Sequence, residues 1–487
     1  MSTTSPHNES PPRSFPPGFI WGTATASYQI EGAVDVDGRG PSIWDTFCKR
    51  PGEVWNGDTG DVACDHYHRM DEDLDLMKKL GVGSYRFSVA WPRVQPDGKG
   101  PANQAGLDFY RRLVDGLLAR DIEPTLTLYH WDLPQPIEDE GGWCVRDTSE
   151  RFGEYVDLVA RALGDSVERW ITLNEPWCSA WLGYGAGRHA PGVKDIGKAV
   201  AATHHLLMAH GTAVPILRSA IPDAKVGITL NLGVSRPGTT HELDLAAAHR
   251  ADGNLNRIFL DPIFRGHYPE DMLSHYKDNL PGFTVVHDGD MALISQPLDF
   301  LGVNYYFPGT IMDSTRVKEA RAAGYGVPLG EQFPDLRVLS LETPGTDTTS
   351  MGWEVDASGL TELLVRVKGD YTELPIYITE NGAAFDDYVD PNGHVLDHDR
   401  VSYLEEHISA VHDAIEADVN VQGYFVWSLL DNFEWAYGYS RRFGIVWVDF
   451  PTGTRLPKAS FSWYADTVRN NGLVYSTSGG DTKPAHH

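Results

Sequence analysis

Short apolar runs alternate with amphipathic stretches along most of the chain. The runs are rich in β-branched and aromatic residues, and their apolar side chains are nearly continuous rather than confined to every second position. This pattern is typical of parallel strands that are buried on both faces. The sequence therefore predicts eight strands, at 19–26, 84–91, 122–129, 169–174, 224–230, 299–305, 375–380 and 421–428.

Amphipathic helices are predicted between the strands, because apolar residues recur there at three- and four-residue spacing. Three clear examples are Leu107, Tyr110, Leu113, Val114, Leu117 and Leu118; Phe152, Val156, Val159, Ala160 and Leu163; and Leu404, Ile408, Val411 and Ile415. Repeated strand–helix alternation predicts an α/β fold, specifically a single-domain (β/α)8 TIM barrel with long loops over its C-terminal face. A doubly wound open sheet is the alternative.

Three segments fall outside this alternation. Residues 1–14 are polar and rich in Pro and Ser, and we expect a disordered N-terminal tail there, with a similar C-terminal tail at 472–487. The barrel would then occupy residues 15–471. Residues 308–350 are rich in Gly, Thr and Pro, and are too long for a simple connection, so they predict a large loop over the barrel mouth.

Composition and charge narrow the classes of partner. The 487 residues include 40 Lys and Arg against 68 Asp and Glu, a formal net charge of −28. Such a field repels phosphate backbones and anionic lipids, so we expect neither nucleic acid nor a membrane as partner. A neutral small molecule is the expected substrate. The oligomeric state is not predictable from these features.

The cysteines and the apolar segments bear on location. Four cysteines occur without zinc-like or CxxC spacing, which indicates free thiols in a reducing compartment. The N-terminus lacks the apolar core of a signal peptide. The sequence also has no run of about 18 apolar residues, the length that a helix needs to span a bilayer. We therefore expect a cytoplasmic protein.

Polar and aromatic side chains gather where the predicted strands end. Catalytic residues of barrel enzymes lie at the carboxyl ends of the strands. Each of these residues alone has a structural explanation, but their shared location predicts a functional site. They are Gln29, Arg86, His130, Trp131, Asn174, Glu175, Asn304, Tyr306, Glu380, Asn381 and Trp427.

Two of these strand ends carry a glutamate beside an asparagine, in Asn174-Glu175 and Glu380-Asn381. They belong to the fourth and seventh predicted strands and can face each other across a barrel mouth. Hydrolysis of a glycosidic bond requires such a pair: one carboxylic acid protonates the leaving oxygen, and the other carboxylate attacks the anomeric carbon or activates water.

Longer motifs give these positions a family resemblance. The segments WGTATASYQIEG at 21–32, YRFSVAWPR at 85–93, TLNEP at 172–176, ITENG at 378–382 and WSLLDNFEW at 427–435 resemble glycoside hydrolase family 1, the β-glucosidase family. RFGI at 442–445 fits as well, and the resemblance extends from about Phe15 to about Asn471. It implies a single-domain barrel, retention of anomeric configuration, and no metal or organic cofactor.

The resemblance also implies roles for the two carboxylates. Glu175 would be the general acid/base and Glu380 the nucleophile. Arg86 would favour the charged form of Glu380, Tyr306 would donate a hydrogen bond to it, and Asn304 would support the catalytic groups. Glu175 would keep its proton in a neutral neighbourhood formed by Asn174, Trp131 and Trp177.

Further residues match the family's sugar-binding positions. Amides, carboxylates and imidazoles suit the paired donors and acceptors of sugar hydroxyls, and aromatic rings suit the apolar face of the sugar. The resemblance assigns Asn174 to the 2-hydroxyl and Trp427 to the ring face. The predicted substrate-binding residues are Gln29, His130, Trp131, Asn174, Trp353, Trp427, Glu434, Trp435 and Phe443.

Two of these positions distinguish subfamilies. A hexose 6-phosphate specialist would be expected to carry Ser in place of Glu434, whose carboxylate repels phosphate, and a thioglucosidase would carry Gln in place of Glu175. We therefore expect an exo-acting retaining β-glucosidase of small β-glycosides and short oligosaccharides, with some β-galactosidase or β-fucosidase activity. A transglycosidase on the same site and a non-catalytic sugar-binding barrel are the alternatives.

Overall fold

Eight parallel strands form a closed barrel at the centre of the computed structural model, which describes residues 13–279, 285–327 and 334–473. Each strand pairs with its neighbours in chain order, and the last strand pairs with the first. The predicted barrel is confirmed, and the open-sheet alternative is wrong. The strands are β1 (Ile20–Ala24), β2 (Ser84–Ser88), β3 (Glu123–Thr127), β4 (Arg169–Asn174), β5 (Lys225–Asn231), β6 (Phe300–Asn304), β7 (Ile376–Asn381) and β8 (Val421–Trp427).

Helices surround the barrel. The longer ones are His66–Leu80, Gln104–Leu118, Asp147–Leu163, Ile196–Ala220, Glu242–Asp252, Ile258–Arg265, Glu270–Asn279, Ser358–Asp370, His398–Glu416 and Ala459–Asn470. The shorter ones are Ser27–Ile30, Ile43–Phe47, Trp91–Val94, Gln135–Asp139, Asp290–Ile294 and Val317–Ala322, together with the π-helical segments Cys178–Gly185 and Gly253–Arg257.

The predicted apolar faces of these helices pack against the barrel. In Gln104–Leu118, the residues from Leu107 to Leu117 at the predicted spacing are buried. Leu118 is an exception, because 43% of it is exposed. It is the last residue of the helix, at the point where the chain turns back towards β3, so its place in the periodic pattern does not bring it into the core.

The segment 308–350, predicted as a loop, contains regular structure. Gly309–Asp313 pairs in parallel with Ser235–Pro237 and antiparallel with Val338–Leu341. The helix Val317–Ala322 lies between the last two of these strands in sequence and contributes to a small apolar cluster of its own. Strands of three to five residues are too short to produce a visible alternation, which explains the weak periodicity of the sequence here.

The two ends of the described chain lie together. Ser14 forms a β-bridge with Gly472, and the amide of Leu473 donates to the carbonyl of Arg13 over 3.0 Å. The ordered chain therefore extends two residues into each predicted tail. The rest of the predicted tails, 1–12 and 474–487, lies outside the described residues.

All four cysteines are free: Cys48, Cys64 and Cys178 are buried, and Cys144 is half-buried. Across the described part of the chain, no helix is both long and apolar enough to cross a membrane. The cytoplasmic location stays a prediction.

A buried ion pair anchors the loop that follows β1. Arg93 donates to Glu31 through Nε over 3.0 Å, and Tyr110 donates its hydroxyl to the other oxygen of Glu31 over 2.8 Å. Both charged side chains are almost fully buried. The pair joins the loop of the predicted sugar-binding Gln29 to the helices that follow β2.

Replacing Arg93 with Met is therefore expected to destabilise the barrel strongly, because Glu31 would keep a buried charge without its partner. The expected loss is about 3–5 kcal/mol in the free energy of unfolding, measured by denaturation followed by circular dichroism. Adding Glu31→Gln, which keeps an acceptor for Tyr110, should recover part of the loss. Arg161→Met, which removes the exposed pair with Asp157, is the control and should change little. Equal effects of Arg93→Met and Arg161→Met would contradict this account.

Candidate active site

Irregular strand pairing positions the two predicted carboxylates. The register of β4 against β5 shifts between Ile171 and Asn174, immediately before Glu175. The register of β7 against β6 shifts between Ile378 and Glu380. Such irregularities change the direction of the side chains that follow, and they are common next to active sites. Both shifts therefore turn a glutamate at the carboxyl end of its strand.

Three residues at the barrel mouth adopt the left-handed backbone conformation that favours glycine. Their φ angles are +77° at Trp131, +47° at Glu175 and +49° at Trp435. Non-glycine residues in this region cost about 1–3 kcal/mol each and are concentrated at functional sites. The surroundings hold two of them in place, since the Glu175 amide donates to the carbonyl of Thr229 and the Trp131 indole donates to the carbonyl of Asn174.

The glycine that follows Glu380-Asn381 is required by close packing. A Cβ atom at Gly382 would lie 1.7 Å from the carbonyl oxygen of Trp427. The loop after β7 thus passes directly against the end of β8. This contact brings the strand end that carries Glu380 next to the predicted sugar platform.

Glu380 receives hydrogen bonds at both carboxylate oxygens. Arg86 donates to Oε1, and Tyr306 donates its hydroxyl to Oε2 over 2.7 Å. Burial, followed by the charges of Glu380 and Glu175, raises the pKa of the Tyr306 phenol well above its ordinary value, so this donor keeps its proton. A buried carboxylate paired with a cation and a phenol is suited to remain negatively charged.

Arg86 reaches Glu380 from an unexpected position. It was predicted at the end of its strand, but it is the third of the five residues of β2 and pairs in register with Ala24 and Thr125. The prediction of a strand end is wrong, because Phe87 and Ser88 follow Arg86 within β2. The guanidinium is fully buried and bonds to Glu380 and to Asn174, the latter over 2.5 Å.

Glu175 lies in a different environment. Asn304 donates to its Oε1 over 2.6 Å, and the Cys178 thiol lies 3.2 Å from its Oε2. Burial, followed by the charge of Glu380, raises the pKa of Glu175 to about 8. Both causes favour the protonated form of Glu175. Of the neutral neighbours predicted from the sequence, Trp177 directs its indole N–H to Asn254 instead.

Asn174 connects this charged cluster to His130. Its Oδ1 accepts from Arg86 and from Asn304, which fixes the orientation of the amide, and its Nδ2 lies 3.0 Å from His130 Nε2. Burial, followed by the charge of Arg86, lowers the pKa of His130 well below its ordinary value, so the ring is neutral. Nε2 then accepts from Asn174, and Nδ1 carries the hydrogen.

Free hydrogen-bonding atoms remain at the predicted sugar contacts. His130 Nδ1 and Gln29 Oε1 are buried without a partner among the described residues. Gln29 Nε2 donates to the carbonyl of Phe433 over 2.9 Å and to Asn432 Oδ1 over 3.1 Å, so its remaining capacity is that of an acceptor. The site thus offers one donor and one acceptor, the pair that a sugar hydroxyl matches.

Glu434 adds a third buried carboxyl group to the pocket. Burial, followed by the charges of Glu380 and Glu175, raises its pKa to about 8. Its Oε2 lies 3.5 Å from Gln29 Nε2. A protonated Glu434 can both donate to and accept from sugar hydroxyls, and it offers no positive charge to a phosphate.

Aromatic side chains form two groups around these polar atoms. Trp435 lies 4.5 Å from Trp131 and 6.0 Å from His130, measured between ring centroids, and Trp427 lies 5.9 Å from His130. In the second group, Trp353 lies 5.2 Å from Tyr306, 5.9 Å from Phe443 and 5.0 Å from Phe307. Phe443 is almost fully buried and also contacts Tyr306.

The structure thus brings the predicted residues to one end of the barrel. Other residues that hold the site were missed from the sequence: Cys178 beside Glu175, Thr379, which donates to Asn304 Oδ1 over 2.7 Å, and Asn432, which accepts from Gln29. Cys178 had one available signal, since it lies three residues after Glu175 in the turn that leaves β4. Thr379 and Asn432 also had a signal, since they lie within the quoted motifs ITENG and WSLLDNFEW.

Comparison with known proteins decides the family. The sequence profile of glycosyl hydrolase family 1 matches residues 12–473. The chain belongs to glycosyl hydrolase family 1. The protein is therefore a glycoside hydrolase, with β-glucosidase relatives and small-molecule glycosides as its substrates. The alternative of a non-catalytic sugar-binding barrel is not favoured.

Relatives in this family match over nearly their full lengths. The 1,4-beta-D-glucan glucohydrolase of Thermotoga neapolitana is 47% identical over 463 residues, covering 95% of this chain and 100% of that protein. The bifunctional beta-D-glucosidase/beta-D-fucosidase of Bifidobacterium breve is 48% identical, covering 92% and 97%. The solved structure of the beta-glucosidase from Thermotoga maritima in complex with castanospermine is 46% identical with a TM-score of 0.88, covering 95% and 100%.

Removing the free acceptor of Gln29 or the free donor of His130 should weaken hydrolysis by this family 1 enzyme. We expect Gln29→Ala and His130→Ala each to lower kcat/KM for an aryl β-glucoside by roughly 10- to 100-fold, the usual loss when one hydrogen bond to a substrate disappears. Gln135→Ala, at the start of a short helix, is the control and should retain activity. Losses below about twofold in both site variants would contradict the assignment.

Proposed function

We propose that the protein is a retaining β-glucosidase that removes terminal non-reducing β-D-glucosyl residues through a covalent glycosyl-enzyme. Glu380 is the nucleophile and Glu175 the general acid/base. The observation that carries this proposal is that the two buried carboxyl groups have different hydrogen-bond partners. Arg86 and Tyr306 donate to Glu380, whereas Glu175 receives only neutral donors and its pKa is raised to about 8.

The first chemical step uses this difference. Protonated Glu175 gives its proton to the glycosidic oxygen while Glu380 attacks the anomeric carbon. The bond to the aglycone breaks, the aglycone leaves as an alcohol, and Glu380 becomes an uncharged ester. Arg86 and Tyr306 hold the attacking carboxylate in place until the bond forms.

The second step follows from the loss of one charge. Because the charge of Glu380 contributes to the raised pKa of Glu175, forming the ester lowers that pKa, and Glu175 can ionise. As a base it then takes a proton from water, and the water oxygen attacks the anomeric carbon and releases Glu380. Two displacements at the same carbon retain the β configuration.

Neutral hexosides are the proposed substrates. The buried Glu434 and the net charge of −28 disfavour phosphorylated sugars and nucleic acids. The bifunctional name of the Bifidobacterium breve relative supports additional β-fucosidase activity. Exo action on short oligosaccharides is proposed from the family resemblance alone.

Chemical rescue with azide tests both roles. Glu380→Gly should lose hydrolysis of p-nitrophenyl β-glucoside and recover it with azide, giving the inverted α-glucosyl azide, because azide enters the face that Glu380 occupied. Glu175→Ala should also recover with azide on an activated substrate, but should give the β-glucosyl azide, because azide then attacks the glycosyl-enzyme. The products are distinguished by proton NMR.

The azide experiment has one control variant and two outcomes that would contradict the proposed roles. Glu140→Ala, an exposed glutamate, should retain wild-type hydrolysis and form no azide product above the wild-type level. The same azide configuration from both site variants would overturn the division of roles. Recovery by neither variant would overturn the covalent mechanism.

A further inference from the structure

The thiol of Cys178 is in direct contact with the proposed acid/base. Its Sγ lies 3.2 Å from Glu175 Oε2, and both side chains are buried. The contact is fixed locally, since the amide of Cys178 donates to the carbonyl of Glu175 over 2.9 Å and closes the turn that enters the π-helical segment. None of the chemical steps described above uses this thiol.

The partners of the other oxygen indicate where the proton of Glu175 resides. Asn304 is held with its Nδ2 donating to Glu175 Oε1 over 2.6 Å, while its Oδ1 accepts from Thr379. An amide N–H only donates, so Oε1 acts as an acceptor in this bond. The acidic proton of neutral Glu175 is therefore expected on Oε2, the oxygen that faces Cys178.

A thiol is suited to both protonation states of this oxygen. Sulfur is a weak acceptor when Oε2 carries a hydrogen, and the S–H group is a weak donor when Oε2 is ionised. Burial, followed by the charge of Glu175, raises the pKa of the Cys178 thiol well above its ordinary value, so the sulfur keeps its hydrogen. An ammonium group at this position could only donate and would favour the ionised state alone.

We propose that Cys178 is a positioning residue of the glycosidase reaction: it accepts from Oε2 while Glu175 is the acid and donates to Oε2 while Glu175 is the base. This inference rests on the proposed role of Glu175. Donation to the ionised oxygen is assisted by its charge and is the stronger of the two bonds, so the thiol holds the carboxyl group in both states and modestly favours the ionised one. The effect is expected in the protonation of Glu175 rather than in sugar binding.

The sign of the effect follows from the thiol as donor. Donation by Cys178 stabilises ionised Glu175 and so lowers its pKa, opposing burial and the charge of Glu380. Removing the thiol should raise that pKa. Hydrolysis needs protonated Glu175 in its first step, so the alkaline limb of kcat/KM should move to higher pH. The acidic limb should stay in place, because it does not report the ionisation of Glu175.

The test compares three variants at one position with a matched control. Cys178→Val and Cys178→Ala both remove the hydrogen bond; valine fills the volume of the cysteine side chain and alanine does not. If one of these variants fails to fold, the other can still be measured. Cys178→Ser keeps a group that both donates and accepts. Cys144→Ser is the control, because Cys144 lies outside the site and its sulfur contacts the carbonyl of Lys198.

The readout is the pH profile of kcat and KM for p-nitrophenyl β-glucoside. We expect Cys178→Val and Cys178→Ala to move the alkaline limb of kcat/KM upward by roughly 0.3 to 1 pH unit with little change in KM. Cys178→Ser should keep the limb at or below its wild-type position. Cys144→Ser should match the wild type throughout.

Three results would overturn the inference, and they differ in what else they overturn. An unmoved limb in Cys178→Val and Cys178→Ala, together with azide rescue of Glu175→Ala, would remove the role of Cys178 and leave the proposed function intact. Failure of that rescue would remove the assignment of Glu175, and the role of Cys178 with it. A rise in KM without a shift of the limb would identify a merely structural effect and would also overturn it.

Discussion

The buried cation of Arg86 organises the active site. Three carboxyl groups, Glu175, Glu380 and Glu434, are buried in one pocket, and the guanidinium of Arg86 bonds to Glu380. One positive charge compensates one negative charge at low cost, whereas each further buried charge would be unpaired and expensive. The pocket therefore holds Glu175 and Glu434 in their protonated forms, both with a pKa raised to about 8. Burial, followed by the charge of Glu380, thus favours the protonated acid that the proposed reaction needs, while Arg86 pairs with Glu380 and by itself lowers the pKa of Glu175.

The same cation reaches the sugar contacts through Asn174. Arg86 and Asn304 fix the Asn174 amide, the amide fixes the tautomer of His130, and the charge of Arg86 helps to keep that ring neutral. A free donor on His130 results from this chain of bonds, while the free acceptor on Gln29 results from that side chain's own bonds to Phe433 and Asn432. In the proposed mechanism the negative charge passes from Glu380 to Glu175 while Arg86 stays in place, which fits an enzyme whose charged groups are arranged in advance.

Much of this arrangement is predictable from the sequence, because barrel strands bring their carboxyl ends together and make distant residues neighbours. That rule was sufficient for Glu175, Glu380, Asn304 and His130. It failed where the local backbone departs from regular structure: Arg86 acts from the middle of a strand, and the register shifts before Asn174 and Glu380 have no sequence signal. Short strands within 308–350 were missed because three to five residues cannot show a period. Cys178 was missed because a thiol contact depends on a side-chain direction that spacing does not give.

The central claim is that one carboxyl group of the pair holds a proton at neutral pH while the other is ionised. Carbon-13 NMR of the enzyme labelled at the glutamate side-chain carboxyl carbons tests it directly, with Glu175→Gln used to assign the signal, over about pH 3 to pH 10. The account predicts that the signal lost in Glu175→Gln titrates with a midpoint near 8 and that its titration is altered when Arg86 is replaced by Met. A midpoint close to the ordinary glutamate value of about 4.3 would contradict the account, because Glu175 would then have no proton to give at neutral pH.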